Sequence, residues 1–436
     1  MQAGRTLFQS ILWRGLYYGV AFIINILIAR HFQASVSGAV YYVSSIYALV
    51  LLFASLSLES GIIYFTARNE IPANRLFGFS LIWSILVGLV TYFTAYLFFE
   101  DIYHHLSRSL LLFSSASFIF GNMLSTYCSG FFYAHNNFAV PNAINIICTA
   151  ILIILLPYNG VSVIPSINND NYFYIYFGSF LLQGFCITVA AKIIYIKNRL
   201  LHFLTLAEFR LLFSYCALAF AGNIIHFLLY RVDYWFVSRY CTPGQLGNYI
   251  QVSKLGQMFF ILPTILASAV FPMTAGGQKM AISKILTMLS RFVFLLYLIL
   301  CVCLALAGKW LFPIVFGESF SEMYEPFLFL VPGILALSGI FTLTAYFAGR
   351  NLIRVNITGS VMAMIVILTG DIIFIPRYGI NAAALVSSIG YIVYQVYVIV
   401  IFNREYKTTL ADFFLFRIED LQNLKVNISK LMKNQS

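Results

Sequence analysis

Charge is what this chain has least of. Asp, Glu, Lys and Arg together make up 9% of its 436 residues, against about 25% in soluble domains. A polypeptide this long and this poor in charge does not keep itself in water, which excludes an ordinary soluble enzyme or binding module. Histidine is also sparse, with 6 residues. The adjacent pair His104 and His105 would point about 100° apart on a helix, so no metal site is expected there. Of the 7 cysteines, Cys128, Cys148, Cys186, Cys216, Cys301 and Cys303 fall in or beside apolar runs, none at a metal-ligand spacing, and they read as small core residues. No acid pair stands out, and no connection between apolar runs is long enough to fold around a sugar donor. Both absences argue against a membrane-embedded glycan polymerase or glycosyltransferase. The first apolar run lacks a small-residue cleavage site after it, so a removable signal peptide is not expected.

What the chain has in abundance is apolar: 61% hydrophobic residues and 17% aromatic. Taking about 20 apolar residues as one crossing, the sequence divides into about twelve spans. They are Leu12 to Ala29, Val40 to Tyr64, Leu76 to Phe99, Leu110 to Phe132, Ala139 to Leu156 and Tyr172 to Ile194, then Leu212 to Ser238, Tyr249 to Phe271, Phe292 to Leu311, Phe327 to Phe347, Ile357 to Phe374 and Ala382 to Phe402. Lipid offers no partner to a free backbone N–H or C=O, so these runs must be helices and the fold class is all-α polytopic membrane protein.

The net charge of +11 does not mark a nucleic-acid binder, because the basic residues lie scattered in short loops and form no stripe. They set topology instead. Arg68, Arg75, Lys192, Lys197, Arg199, Arg210, Lys279, Lys284, Arg291, Arg350 and Arg354 fall on one side, against Arg30, Arg108, Arg239, Lys309 and Arg377 on the other. By the positive-inside rule both termini are expected in the cytoplasm. After Phe402 the segment Leu410 to Met432 repeats apolar residues at spacings of four and three, which fits an amphipathic helix on the inner membrane surface or against a partner.

The two halves resemble each other. A shift of 209 residues carries Arg30 onto Arg239 and Gly38 onto Gly247, and AHNNFAVPN at Ala134 to Asn142 finds its counterpart in AGRNLIRVN at Ala348 to Asn356. Six spans per half is an even number, so the repeats share one orientation, and a pseudo-two-fold axis along the membrane normal is expected. The expected organisation is an N-terminal six-helix lobe over 1–196, a cytoplasmic linker over 197–211, a C-terminal six-helix lobe over 212–402, and an amphipathic tail over 403–436.

Ionisable residues within spans are the candidate site, since each costs roughly 2.5–3.5 kcal/mol at the bilayer centre on insertion scales and must face protein or a water-filled cavity. On the first span Arg14, Tyr18, Ala21 and Asn25 share a face, and Glu59 sits in the second. On the seventh, Asn223, His226, Tyr230 and Asp233 follow at spacings of three, four and three, with Arg231 to the flank. Arg231 and Asp233 are two residues apart and cannot face each other. Lys254 lies at matching depth beyond a turn at Thr242 and Pro243, so an Asp233–Lys254 pair is expected. One reading makes these charges a device that fixes helix packing, or lets them snorkel. The other makes Arg231 and Lys254 the contacts of an anionic substrate, with His226 or Asp233 available to a proton.

The pattern R-x-D at Arg231 and Asp233, followed by Arg239 and by Leu246-Gly-x-Tyr249, resembles the seventh and eighth helices of Wzx-type polysaccharide flippases. These share a superfamily, MOP, with the MATE drug exporters and the lipid II flippases. The stretch Ile375 to Tyr391 resembles the family near its twelfth helix. The resemblance implies a flippase, not an enzyme. It would move an undecaprenyl-diphosphate-linked oligosaccharide from the cytoplasmic to the periplasmic leaflet of a bacterial inner membrane by alternating access, for O-antigen or capsule assembly. Implied partners are the lipid-linked oligosaccharide, the bilayer, a polysaccharide polymerase and glycosyltransferases. No cofactor is implied, and the coupling ion, H+ or Na+, is left open. The alternative is a MATE-like cation or drug antiporter, which should carry more acid than base in its cavity. Arg14, Arg231 and Lys254 against Glu59 and Asp233 favour the anionic cargo.

Overall fold

The computed structural model describes residues 2–98, 107–157, 169–197, 202–260, 262–263, 266, 279–350 and 352–415. Among them there is no strand. The helices are α1 (Gln2–Ser55), α2 (Leu58–Arg68), α3 (Ala73–Phe98), α4 (Arg108–Ala134), α5 (Ala139–Leu155), α6 (Asn169–Ala191), α7 (Leu206–Arg231), α8 (Asp233–Tyr240), α9 (Pro243–Met258), α10 (Lys279–Phe316), α11 (Tyr324–Gly349), α12 (Ile353–Tyr406) and the short α13 (Ala411–Phe414). Among the described residues eight helical stretches are long and apolar enough to cross a membrane. The chain is a multi-span helical membrane protein.

Two of those stretches each carry a pair of the expected spans. α1 breaks at Gln33 (φ 64°, ψ 172°) and α12 at Gly379 (φ 62°, ψ −143°), so each folds as a helical hairpin without a conventional loop. Gly379 meets its positive φ without a Cβ; Gln33 holds a backbone conformation that is nearly exclusive to glycine and costs of order 1–3 kcal/mol. The turn expected at Thr242 and Pro243 is present. Thr242 caps α9 by accepting from the Gln245 N–H while the Gln245 side chain accepts from the Thr242 N–H, and Pro243 occupies the first helical position. α9 carries the first part of the expected eighth span, most of whose remainder falls outside the described residues. So do His104 and His105, most of the polar loop after Pro157, and the tail beyond Leu415.

The second span, Val40 to Tyr64, reads as continuous by hydropathy but is broken in the structure. Leu56 (φ 49°) and Ser57 (φ 54°) are both left-handed and separate α1 from α2. The break exposes carbonyls that lipid cannot satisfy. The Trp83 indole N–H donates to Ala54 O at 2.9 Å, and the Tyr127 hydroxyl donates to Ser55 O at 3.0 Å. Side chains from α3 and α4 therefore build the interruption into the fold.

The chain forms two compact units. The first comprises Met1–Gln33 and Ala39–Phe227; the second comprises Ala34–Gly38 and Leu228–Ser436. In the first, α4 packs on α2, α3, α5 and α6. In the second, α12 packs along α11 and also meets α8 and α9. The seventh span contributes to both units, with the boundary between Phe227 and Leu228. Within the second unit the segment Ala34–Gly38 lies on α9. A Cβ built on Gly38 would stand 2.5 Å from the Gly247 Cα, so the two positions related by the 209-residue shift touch each other.

Candidate functional site

In the first unit Arg14 is exposed and lies over two aromatic rings, 5.1 Å from the centroid of Tyr133 and 5.3 Å from that of Phe138. This is a cation–π shelf, a contact of about 0.5–2 kcal/mol that orients a guanidinium without neutralising it. Tyr18 is exposed one turn further along, and Asn25 donates to Ala21 O at 2.6 Å while its own carbonyl accepts from the Tyr41 hydroxyl at 3.0 Å. The expected face of the first span is present, but Asn25 is engaged with its own helix. Glu59 occupies the first turn of α2, just past the break, and its Oε2 is buried without a hydrogen-bond partner. The Asn223 amide donates to Ser57 Oγ at 2.9 Å, which ties the broken second span to α7. His226, one turn on, is exposed.

The second unit holds the other group. Asp233 is 3% exposed at the start of α8. Its Oδ2 accepts from the Tyr249 hydroxyl, and from Ser387 Oγ at 3.2 Å, while its Oδ1 is buried without a hydrogen-bond partner. The expected Asp233–Lys254 ion pair is not formed: Tyr249, five residues before Lys254 on α9, takes the carboxylate. Lys254 instead has Arg231 as an electrostatic neighbour, so two basic side chains influence each other where the sequence suggested a base and an acid. Tyr230 is buried against Phe260 and Tyr391, at centroid distances of 4.9 and 5.4 Å.

One residue of this group escaped the sequence reading. Asp371, on the first half of α12, is fully buried, and neither of its carboxylate oxygens has a hydrogen-bond partner. Asp233 is its electrostatic neighbour, and both carboxylates act on Tyr249 and Tyr391. The signal was available: Asp371 is the sole charged residue of the expected span Ile357 to Phe374. Counting it corrects the charge balance. Arg14, Arg231 and Lys254 now stand against Glu59, Asp233 and Asp371, and the positive excess disappears. What survives is segregation, with Arg231 an electrostatic neighbour of Lys254 and Asp233 of Asp371.

Asp233 Oδ1 and both Asp371 oxygens are buried without hydrogen-bond partners, and the Ser387 and Tyr249 hydroxyls serve the remaining oxygen, Asp233 Oδ2. Leaving such groups charged and dry is costly. The arrangement can take up a proton or hold a small cation through oxygens alone. The Arg231–Lys254 pair has the converse chemistry, two cations whose mutual repulsion is relieved by a doubly charged phosphate group.

Residues 26–325 match the sequence model of a family described as polysaccharide biosynthesis protein. The chain belongs to that family. No curated protein matches significantly. Among solved structures, the family member described here is similar to the lipid II flippase MurJ in an inward closed conformation, at TM-score 0.66 and 15% identity over 94% of this chain and 88% of the other. It is similar to an outward-facing multidrug resistance MATE transporter of the MOP superfamily, at TM-score 0.63 and 12% identity over 93% and 97% of the two chains. It is also similar to the Vibrio cholerae MATE transporter VcmN, at 0.61 and 14% over 94% and 98%. The polysaccharide biosynthesis family member thus has the helical fold of the MOP superfamily, whose members named here are transporters and flippases.

Proposed function

We propose that the protein is a flippase that moves an undecaprenyl-diphosphate-linked oligosaccharide from the cytoplasmic to the periplasmic leaflet by alternating access, in assembly of O-antigen or capsule. The observation that carries this reading is that Arg231, in a helical stretch long and apolar enough to cross a membrane, is an electrostatic neighbour of Lys254 on α9. Two like charges held together in low dielectric repel, and a diphosphate is the ligand class that turns the repulsion into attraction. Arg14 on its Tyr133–Phe138 shelf supplies a second cationic station, Tyr18, Asn223 and His226 supply hydrogen-bonding surface for sugar hydroxyls, and the buried Tyr230 supports the seventh span from behind. Asp233 and Asp371 are the coupling group: loading them with H+ or Na+ removes the cost of their buried charge and so biases the conformations that bury or open them. Glu59, beside the broken second span, offers the first unit a carboxylate of its own.

In this reading the protein resides in a bacterial inner membrane with both termini cytoplasmic, and receives its cargo from glycosyltransferases and delivers it to a polymerase. A MATE-like cation or drug antiporter is the second reading, favoured by the Asp233–Asp371 pair alone. Deleting the gene separates the two. Loss of surface polysaccharide, with lipid-linked glycan accumulating on the cytoplasmic face, supports the flippase; unchanged surface glycan with altered drug tolerance supports the antiporter.

A further inference from the structure

The first unit carries a second feature, unrelated to the charged groups. A cavity of about 420 Å³ lies between α3, α4 and α6. α3 lines it with Ile85, Gly88, Leu89 and Tyr92, spaced three, one and three residues apart, so one face of the helix forms one wall along about 10 Å. α4 lines the opposite wall with Phe113, Ala116 and Phe120, again on one face. Gly88 keeps the groove open, since a Cβ there would stand 3.1 Å from Phe120 Cβ. The walls are almost wholly apolar and lie in membrane-spanning stretches, with Ile85, Leu89 and Phe113 exposed to whatever surrounds the protein at that depth.

Both walls continue by one helical turn into polar chemistry at the α3–α4 end. Beyond Tyr92 the α3 face presents Tyr96, whose carbonyl accepts from Arg108 at 3.2 Å and whose ring lies 4.7 Å from the Arg108 guanidinium. Beyond Phe113 the α4 face presents Ser109, hydrogen-bonded to the Tyr174 hydroxyl at 2.8 Å, while the Tyr174 ring meets Phe113 at 5.6 Å. A hydrocarbon groove thus leads directly to a fixed guanidinium and two hydroxyls.

We propose that this groove holds one chain of an anionic diacyl phospholipid of the surrounding bilayer, with its phosphate at Arg108, Ser109 and Tyr174. The groove's open side faces the membrane, which supplies diacyl lipid there in excess of any other long apolar chain. A cation at one end of an apolar slot favours an anionic headgroup over a zwitterionic one. The site is separate from the cargo path proposed above and stands whether or not that path carries a glycolipid.

The test uses the purified full chain in mixed micelles containing equal amounts of phosphatidylglycerol, phosphatidylcholine and undecaprenyl phosphate, with retained lipid read by native mass spectrometry. The wild type should retain phosphatidylglycerol about tenfold over phosphatidylcholine, whose phosphate makes the same contacts but whose choline cation is repelled by Arg108, an effect of about 1.4 kcal/mol. Arg108→Gln should abolish the preference, and Ala116→Leu, which fills the groove, should lower retention of both diacyl lipids. If Ala116→Leu does not stay monodisperse, Gly88→Ala serves as the filling variant, with the same loss expected. Equal retention of the two diacyl lipids by the wild type, a preference unaffected by Arg108→Gln, retention unaffected by filling, or displacement of phosphatidylglycerol by undecaprenyl phosphate would each overturn the proposal.

Discussion

Gly247→Ala is a sharp test of how the Ala34–Gly38 segment is held on α9. A Cβ at position 247 would lie 1.9 Å from the Ala34 carbonyl oxygen and 2.7 Å from the Ala34 carbonyl carbon. Side-chain Cβ atoms do not come within 3.0 Å of such neighbours, so the backbone must separate by 1.1 Å or more, the difference between 3.0 and 1.9 Å. That movement also strains the bond from the Ala34 N–H to Ser319 Oγ, now 3.0 Å. Overpacking of this kind costs about 1–3 kcal/mol, and loss of the hydrogen bond adds roughly 1 kcal/mol. At about 2–4 °C per kcal/mol for a unit of this size, the unfolding midpoint should fall by roughly 5–15 °C. The assay is thermal unfolding of the purified protein in nanodiscs, followed by intrinsic fluorescence. Gly222→Ala, where a Cβ meets nothing within 4 Å, is the matched control and should leave the midpoint where it is. A Gly247→Ala protein as stable as that control would refute the close glycine-to-glycine approach.

Tyr249→Phe removes the hydroxyl that serves Asp233 and leaves a buried carboxylate with Ser387 alone; it should destabilise the protein by about 1.5–3 kcal/mol in denaturant titration, and no loss would mean the bond is absent in the membrane. Asp371→Asn keeps the shape of the side chain while removing its charge, so protein level should be maintained while transport loses its dependence on a proton or sodium gradient; transport that still follows the gradient would remove Asp371 from coupling. Arg231→Ala and Lys254→Ala should each weaken binding of a lipid-linked diphosphate about tenfold or more. Because both would hold one group, the double variant should fall short of the product of the two effects; strict additivity would place them at separate sites.

The helical fold was legible because hydropathy reports directly on which segments lipid accepts, whereas the internal repeat made Gly38 and Gly247 equivalent without saying that they touch. The interruption at Leu56 and Ser57 was not legible. Hydropathy averages over it, and what makes it tolerable, Trp83 and Tyr127 reaching the freed carbonyls, comes from helices distant in sequence. Partnering failed for a related reason. Matching depth on neighbouring helices pointed to Asp233 with Lys254, but depth does not fix azimuth, and Tyr249 with Ser387 occupies the carboxylate. Asp371 was overlooked although a single acid in an apolar run is itself a signal, and its inclusion shifts the weight from net charge to the way the charges are grouped.

The central claim is that this protein carries a lipid-linked glycan across the membrane, and the most direct measurement is the sidedness of that lipid. In membrane vesicles of known orientation from cells lacking the protein, the lipid-linked oligosaccharide should be accessible to an impermeant sugar-modifying reagent from the cytoplasmic face alone. Restoring the wild-type chain should move it to the opposite face, while Arg231→Ala at equal protein level should not. Glycolipid that reaches the outer face at the same rate without the protein would contradict the account.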